Sequence, residues 1–307
     1  MALAPIAGFT DIAFRQICSA YGADVVYSEM ASATALFYHQ EDKDNDTLKL
    51  LRWDRKKEGK YVVQLFGSKP EHFGLAAKIV TKEIAPDGLD INFGCPVGKV
   101  LKQGAGADLM KNLPLARQVI ESVLANSKLP LSVKIRAKSG EVGASEFVKN
   151  ISDLPVSALM IHGRSVSQGF VGLPDFSLVS AVRPYFKGAI LFNGGVTDIN
   201  SAKNALSLSG ADGLGLARGA LARPWLFQEM KEGREINYSQ SEICRLLYRH
   251  ASLVSSLKGE SYLVEWRKQA CWYALGLPGA SKLRSELVQT SSLEQLKNIL
   301  INYGLND

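Results

Sequence analysis

Residues 89–110 read Leu-Asp-Ile-Asn-Phe-Gly-Cys-Pro-Val-Gly-Lys-Val-Leu-Lys-Gln-Gly-Ala-Gly-Ala-Asp-Leu-Met, and they hold one complete structural unit of the chain. A strand, Gly88 to Asn92, runs into a turn that carries a cysteine. Pro96 stops the strand because it has no N–H to give a ladder, and it biases Cys95 toward extended backbone. A glycine-rich stretch, Gly98 to Gly106, then leads toward a helix. A lone free cysteine is most often a small buried hydrophobe. Its neighbours in the fold must decide whether Cys95 is more than that.

The same strand–turn–helix unit recurs on both sides. Apolar, β-rich runs occupy Ala2–Ile6, Asp24–Met30, Tyr61–Gly67, Gly88–Asn92, Leu131–Arg136, Ala158–Gly163, Ala189–Gly194 and Gly213–Ala217. Several, such as Ala189 to Phe192, are continuously apolar, as expected of parallel strands covered on both faces. Helix-period stretches separate them, including Glu71–Glu83, Leu115–Asn126 and Ile199–Ser207, the last capped by Asp198. Eight such units in about 230 residues predict an α/β fold, a closed (β/α)8 TIM barrel over 1–232. A glycine fingerprint for a dinucleotide after the first strand is missing, which argues against an open doubly wound sheet. The polar insert at 33–59 should project from the C-terminal face of the barrel, either as a solvated loop or to meet a partner.

From about Gln240 the strand signals stop. Helical periods at Ser241–Leu257, Glu260–Leu275, Ala280–Gln289 and Ser292–Tyr303 predict a small C-terminal all-α helical bundle over 239–307, with Ser239 as an N-cap. Residues 229–307 carry ten cations against nine carboxylates, so this tail is not strongly basic as a whole.

Composition limits the function classes. The 307 residues are 46% hydrophobic and 21% charged, which suits a folded globular chain. The net charge of +6 is compatible with a polyanionic partner without requiring one. The four cysteines, Cys18, Cys95, Cys244 and Cys271, form no C-x-x-C pair, so no metal site is expected. No signal peptide or membrane-spanning run is visible, and we read the chain as cytoplasmic and monomeric.

In a barrel of this kind, side chains at the C-terminal strand ends converge on one site. Those ends carry Pro5, Ile6 and Ala7; Glu29; Gln64; Asn92 with Cys95; Lys134 with Arg136; His162 with Arg164; Asn193; and Arg218. Asn193-Gly194-Gly195 follows the seventh strand and Ala217-Arg218-Gly219 the eighth, where this fold customarily binds phosphate. An amide pair, Gln64 and Asn92, with Lys134 suits a planar heterocycle that becomes anionic on reduction. A single phosphate pocket beside it points to FMN.

These segments together resemble the dihydrouridine synthases, most nearly the bacterial B-type branch. The resemblance is carried by Leu3-Ala-Pro-Ile-Ala-Gly-Phe-Thr-Asp11, Ser28-Glu-Met30, Val63-Gln-Leu-Phe-Gly67, Asp90-Ile-Asn-Phe-Gly-Cys-Pro96, Ser132-Val-Lys-Ile-Arg136, Ile161-His-Gly-Arg164, Asn193-Gly-Gly195 and Ala217-Arg-Gly-Ala-Leu221. It extends into the tail at Trp266-Arg-Lys268 and Trp272-Tyr273. It implies NADPH-dependent, FMN-mediated reduction of the uracil C5=C6 bond of a D-loop uridine in tRNA. Flavin N5 would give hydride to C6, and Cys95 would be the general acid that protonates C5, since an ordinary thiol is mostly protonated at neutral pH. It further implies flavin contacts from Pro5, Ile6, Ala7, Gln64, Lys134, His162, Asn193, Gly194 and Gly195, and phosphate contacts from Ala217 and Arg218. Asn92 and Arg164 would meet the uracil, and Arg267 and Lys268 the tRNA. The base must be unstacked to enter the barrel mouth, and residues 98–106 would act as a flap closing on it. The chain departs from the family in having Ile6 for a usual Met and Gly195 for a usual acidic residue. The alternatives are an FMN barrel oxidoreductase for a free small molecule, dihydroorotate dehydrogenase-like, and a non-catalytic RNA-binding relative.

Overall fold

The computed structural model describes residues 1–42 and 45–305. Lys43 and Asp44 of the polar insert, and the last two residues of the tail, lie outside the described residues. Among the described residues, eight parallel strands close into a barrel: β1 (Ala2–Leu3), β2 (Val25–Tyr27), β3 (Lys60–Phe66), β4 (Gly88–Phe93), β5 (Leu131–Arg136), β6 (Ala158–His162), β7 (Ala189–Asn193) and β8 (Gly213–Leu216). Each pairs with the next, and β1 pairs with β8 at Ala2↔Gly215, which closes the ring. The strand order is therefore the one the sequence predicts. The first two strands are shorter than expected, and a further short strand, Ala31–Ser32, extends the sheet beside Leu65 and Phe66.

Helices cover the outside: α1 (Ile12–Ala20), α2 (Pro70–Glu83), α3 (Leu113–Asn126), α4 (Ala144–Asn150), α5 (Leu178–Val182), α6 (Ile199–Ser209), α7 (Arg218–Ala222) and α8 (Leu226–Glu232). The strand period of two sorts each strand's residues between two layers. On β4, Leu89, Ile91 and Phe93 face outward and are at most 1% exposed. They pack with the apolar stripe of α2 (Phe73, Ala76, Ala77, Val80), whose spacing of three and four residues is one helix face. Each of the larger side chains, Leu89, Ile91, Phe93, Phe73 and Val80, contributes about 1.5–3 kcal/mol by leaving water.

The barrel interior is different. Its apolar part is small: Ala2, Ala4, Tyr27 and Met160 form their own cluster. Met160 fills the centre because Gly215 opposite has no Cβ; one added there would sit 2.8 Å from the Met160 sulfur. Above this plug the inward positions turn polar, with Gln64, Asp90, Asn92, Ser132, Arg136, His162 and Asn193 all buried.

Four tail helices follow: α9 (Gln240–Lys258), α10 (Leu263–Tyr273), α11 (Ala280–Leu287) and α12 (Leu293–Ile301). Ser239 caps α9 in a capping box with Glu242. The tail docks on α1 and α7. Phe14 stacks on His250 at 5.7 Å, Lys258 pairs with Asp11 at 3.0 Å, and the Gln269 amide donates to the Leu221 carbonyl at 2.8 Å. Part of the insert is anchored too. The fully buried Arg15 Nε donates to Glu58 at 2.6 Å, and its guanidinium lies 4.5 Å over the Tyr61 ring.

Candidate active site

The Cys95 turn is held by backbone contacts from three directions. Asn92 Oδ1 accepts the N–H groups of Gly94 and Cys95 at 3.0 and 2.9 Å. Arg136 Nε donates to the Gly94 carbonyl at 2.9 Å. The Ala107 N–H donates to the Cys95 carbonyl at 3.0 Å. The last contact explains the glycines: at Gly106, φ is +62°, and a Cβ would lie 2.8 Å from the Cys95 carbonyl oxygen. The second half of the stretch expected to be a flap is packed against the turn. Gly98–Leu101 form a short helix, and Ala105, Gly106 and Ala107 are buried beneath Cys95. Only the rim, Val97 to Lys99 with Lys102 and Gln103, is exposed.

Asn92 itself is 7% exposed, and its carboxamide is occupied. Its oxygen holds the turn, and its nitrogen donates to Gln64 Oε1 at 2.8 Å and lies 3.6 Å from the Met30 sulfur. Asn92, expected to orient a substrate, here engages the turn and Gln64. Gln64 Nε2 donates to Asp90 at 2.7 Å, leaving one N–H and one lone pair of Gln64 unassigned. Asp90 also accepts from Ser132 Oγ at 2.6 Å. Burial pushes the Asp90 carboxyl up to about 6, against the two hydrogen bonds and the Lys134 cation, which favour its charge.

The opposite wall presents donors. Lys134 Nζ donates to Asn193 Oδ1 at 3.3 Å, and Asn193 Nδ2 donates to the Gly215 carbonyl at 2.6 Å. Burial, with Arg136 alongside, brings the Lys134 ammonium down to about 8. His162 Nδ1 accepts the Arg164 backbone N–H at 3.3 Å. Burial and the cations of Lys134, Arg136 and Arg164 push His162 down to about 2, so it stays neutral. A neutral imidazole that accepts at Nδ1 must carry its proton on Nε2. That nitrogen and Arg164 Nη1 would lie 3.5 and 3.4 Å from a Cβ at Gly194, where φ is +121°.

Arg164 Nε and Nη2 both donate to the Gly172 carbonyl, at 3.0 and 2.8 Å, but its buried Nη1 has no partner. A buried guanidinium N–H left unpaired beside a two-glycine loop fits an anionic or acceptor-rich ligand. Arg164, expected to meet the uracil, places Nη1 beside Gly194. Arg218, at the start of α7, stacks on the Phe170 ring with its guanidinium carbon 3.9 Å from the centroid. Pro5, Ile6 and Ala7 complete the rim at the end of β1.

The two tail cations diverge. Lys268 is exposed and lies over the Phe9 ring at 5.3 Å, with Nζ only 2.7 Å from a Cβ built on Gly8. It thus reaches the strand-1 loop. Arg267 instead donates to the Thr290 and Gln289 carbonyls at 2.6 and 3.3 Å and braces the tail. Between barrel loops and tail lies a cleft of about 1100 Å³, lined by Gly8, Phe9, Glu29, Lys258, Tyr262 and Trp266 among others.

Sequence reasoning passed over Asp90, Ser132 and Phe170. A carboxylate in the middle of an otherwise apolar strand was the available signal for Asp90. Phe170 lies in a loop with no periodicity to mark it. Among the described residues, no group of three or more His, Cys, Asp or Glu could hold a metal ion, and no helix is long and apolar enough to cross a membrane.

Comparison with known proteins agrees with this arrangement. Residues 2–303 match the family model described as Dihydrouridine synthase (Dus). The chain is 32% identical over 283 residues to tRNA-dihydrouridine synthase B of Pasteurella multocida, covering 90% of this chain and 83% of that one. It is 29% identical over 304 residues to the probable tRNA-dihydrouridine synthase 1 of Synechocystis sp., covering 96% and 84%. Its fold is similar to a solved structure described as "Crystal structure of TcOYE with pHBA", with a TM-score of 0.56 at 12% identity over 84% of this chain and 93% of that one.

Proposed function

The chain belongs to the dihydrouridine synthase family, and from that premise we propose that it reduces the C5=C6 bond of a D-loop uridine in tRNA, with FMN as its flavin and NADPH as reductant. The observation that carries the proposal is the mouth of the barrel. The Cys95 turn and the donor wall of Lys134, His162 and Arg164 rise from strands of one closed ring, around a polar centre.

The residues present fit an FMN-type ligand. The orphaned Arg164 Nη1, the Nε2–H of His162 and the glycines at 194 and 195 make a donor-rich cradle for ribityl and phosphate oxygens. Arg218 would exchange its stack on Phe170 for the phosphate. Gln64, with one donor and one acceptor to offer, and Lys134 would hold the ring, with backbone contacts from Pro5 to Ala7 and Asn193 to Gly195 and from Ala217. The bound flavin supplies the hydride for C6. Cys95 gives the proton to C5 from the other face of the base, and its turn fixes where that proton comes from. The cation of Lys134 stabilises negative charge developing on the heterocycle beside it.

The segment 239–307 is proposed as the RNA-binding unit, with 1–232 as the catalytic barrel. Lys268 at Gly8 and the barrel–tail cleft support this, because together they continue the mouth onto the tail. Phosphodiester contacts there would weaken with salt. The test is product formation: purified protein, NADPH and unmodified tRNA, with dihydrouridine read by mass spectrometry, against the same mixture with free uridine and with orotate. Turnover of a free base without turnover of tRNA would overturn the proposal.

A further inference from the structure

The mouth stands on a buried run of hydrogen bonds whose base, Ser132 and Asp90, lies beneath the residues proposed to meet a ligand. It starts at Ser132 on β5, passes through Asp90 on β4 and Gln64 on β3, returns to Asn92 on β4 and ends on the Gly94 and Cys95 N–H groups. Strand register makes this possible: Asp90 lies opposite Gln64 on one side and Ser132 on the other. Each link has a direction. A carboxylate only accepts, so Asp90 draws the Nε2 end of Gln64 toward itself. The Oε1 end of Gln64 must then face Asn92, which turns its nitrogen to Gln64 and its oxygen to the turn. Asp90 is 0% exposed and Gln64 1%, so bulk water reaches neither partner.

We propose that Asp90 is a positioning residue: its carboxylate sets the amide direction of Gln64 and Asn92 and thereby holds the turn that presents Cys95. It acts through two amides and touches neither substrate nor flavin. An aliphatic side chain at this position leaves the Gln64 Nε2–H buried without an acceptor. Gln64 then rotates or shifts, Asn92 loses the partner that steadies its nitrogen, and the Gly94–Cys95 turn moves. An asparagine preserves the direction. Its carbonyl oxygen can face Gln64, and its N–H can face Ser132 Oγ, which has the Leu89 carbonyl within 3.3 Å to receive its own proton.

The inference rests on the reading of Cys95 as proton donor, so the experiment separates the two. Asp90→Leu and Asp90→Asn are compared with the parent protein in three measurements: dihydrouridine formed in a single turnover, the rate of flavin reduction by NADPH, and alkylation of Cys95 by iodoacetamide followed by mass spectrometry. Asp90→Leu is expected to lower product formation by roughly 10- to 100-fold, the scale of a displacement of up to about 1 Å. The Cys95 alkylation rate changes with it by several-fold. Asp90→Asn restores both to within about fivefold of the parent. If Asp90→Leu does not fold, Asp90→Ala takes its place with the same expectations. Unchanged Cys95 alkylation in a folded Leu or Ala variant overturns the inference, as does an Asn variant as impaired as the Leu one. The alkylation reads the turn whether or not Cys95 is the acid. Failure of the proton-donor reading would show separately, as an active Cys95→Ala protein.

Discussion

Gly106→Ala tests how closely the position of Cys95 depends on the chain folded beneath it. Gly106 is in the left-handed region at φ +62°, where an alanine costs about 1–2 kcal/mol. Its new Cβ would also meet the Cys95 carbonyl oxygen at 2.8 Å, the Val100 Cγ1 at 3.0 Å and the Cys95 Cβ at 3.1 Å. The oxygen must retreat by about half an ångström to reach ordinary contact, and overpacking of this kind costs roughly another 1–3 kcal/mol. The movement falls on the residue proposed to deliver the proton. If a full ångström costs about 100-fold, half of that costs about tenfold, or roughly 1.4 kcal/mol of barrier. Gly104→Ala is the matched control. Its φ is +66°, but the nearest atom, Ser68 Cβ, is 3.7 Å away, so it carries the backbone strain without the collision. Single-turnover dihydrouridine formation should fall about tenfold in Gly106→Ala and stay within about twofold in Gly104→Ala, while thermal unfolding shows both destabilised and Gly106→Ala more so. Equal product formation in the two folded variants would refute the claim that close packing under the turn sets the thiol's position.

Three further outcomes are expected. Cys95→Ala keeps the turn, because its contacts are to backbone atoms; flavin reduction by NADPH continues and product formation drops by about 10²–10⁴-fold, so a drop of less than tenfold in a tRNA assay would remove Cys95 from the proton-donor role. Lys134 has a folded value lowered to about 8, so burying its charge costs stability below pH 8 and that cost is relieved as pH rises toward the unfolded value; flavin reduction should decline as pH rises through about 8, and Lys134→Met should be slow and lack that decline in stopped-flow absorbance. Arg15→Met strands the fully buried Glu58 carboxylate and should cost about 3–5 kcal/mol in urea unfolding, and a loss below 1 kcal/mol would show that Arg15 does not hold the insert to α1.

The barrel was legible because its strands are buried on both faces and so read as apolar runs with a polar residue at the end. Leu89, Ile91 and Phe93 announce the outer layer by their period of two, and Asn92 and Lys134 mark the mouth. The tail helices were legible from their helical periods and from caps, as at Ser239 with Glu242. Direction within the site was not legible. Whether Asn92 turns its oxygen to a ligand or to its own backbone depends on Asp90 and Gln64, on two strands whose register no local pattern records. Arg267 and Lys268 are adjacent in sequence, but a helix sends neighbours about 100° apart, so one braces Gln289 and Thr290 while the other reaches Gly8. The glycines at 98–106 looked like the signature of a mobile loop. At Gly106 the requirement is space under Cys95, a long-range contact invisible to composition.

The two halves of the mouth differ in what they can accept, and this narrows the chemistry further than any single residue. On the β5–β8 side, Lys134, the Nε2–H of His162 and the free Nη1 of Arg164 are all donors, with Arg218 beside them. His162 cannot turn its lone pair toward a ligand, because Arg164's own N–H occupies Nδ1. That side therefore suits a ligand rich in acceptors, such as a phosphate, a ribityl chain or an anionic ring edge, and penalises one that offers donors. On the β3–β4 side, Gln64 keeps one donor and one acceptor, and Cys95 is the residue proposed to give the proton. Asp90 lies below both halves, close enough to Lys134 for their charges to interact, and it is closed off from any ligand by Gln64 and Asn92. On the proposed reading a single buried carboxylate serves both halves: it favours the Lys134 cation, and it orients the amides that hold the Cys95 turn. Removing it should disturb the two together, whereas Cys95→Ala should disturb one alone.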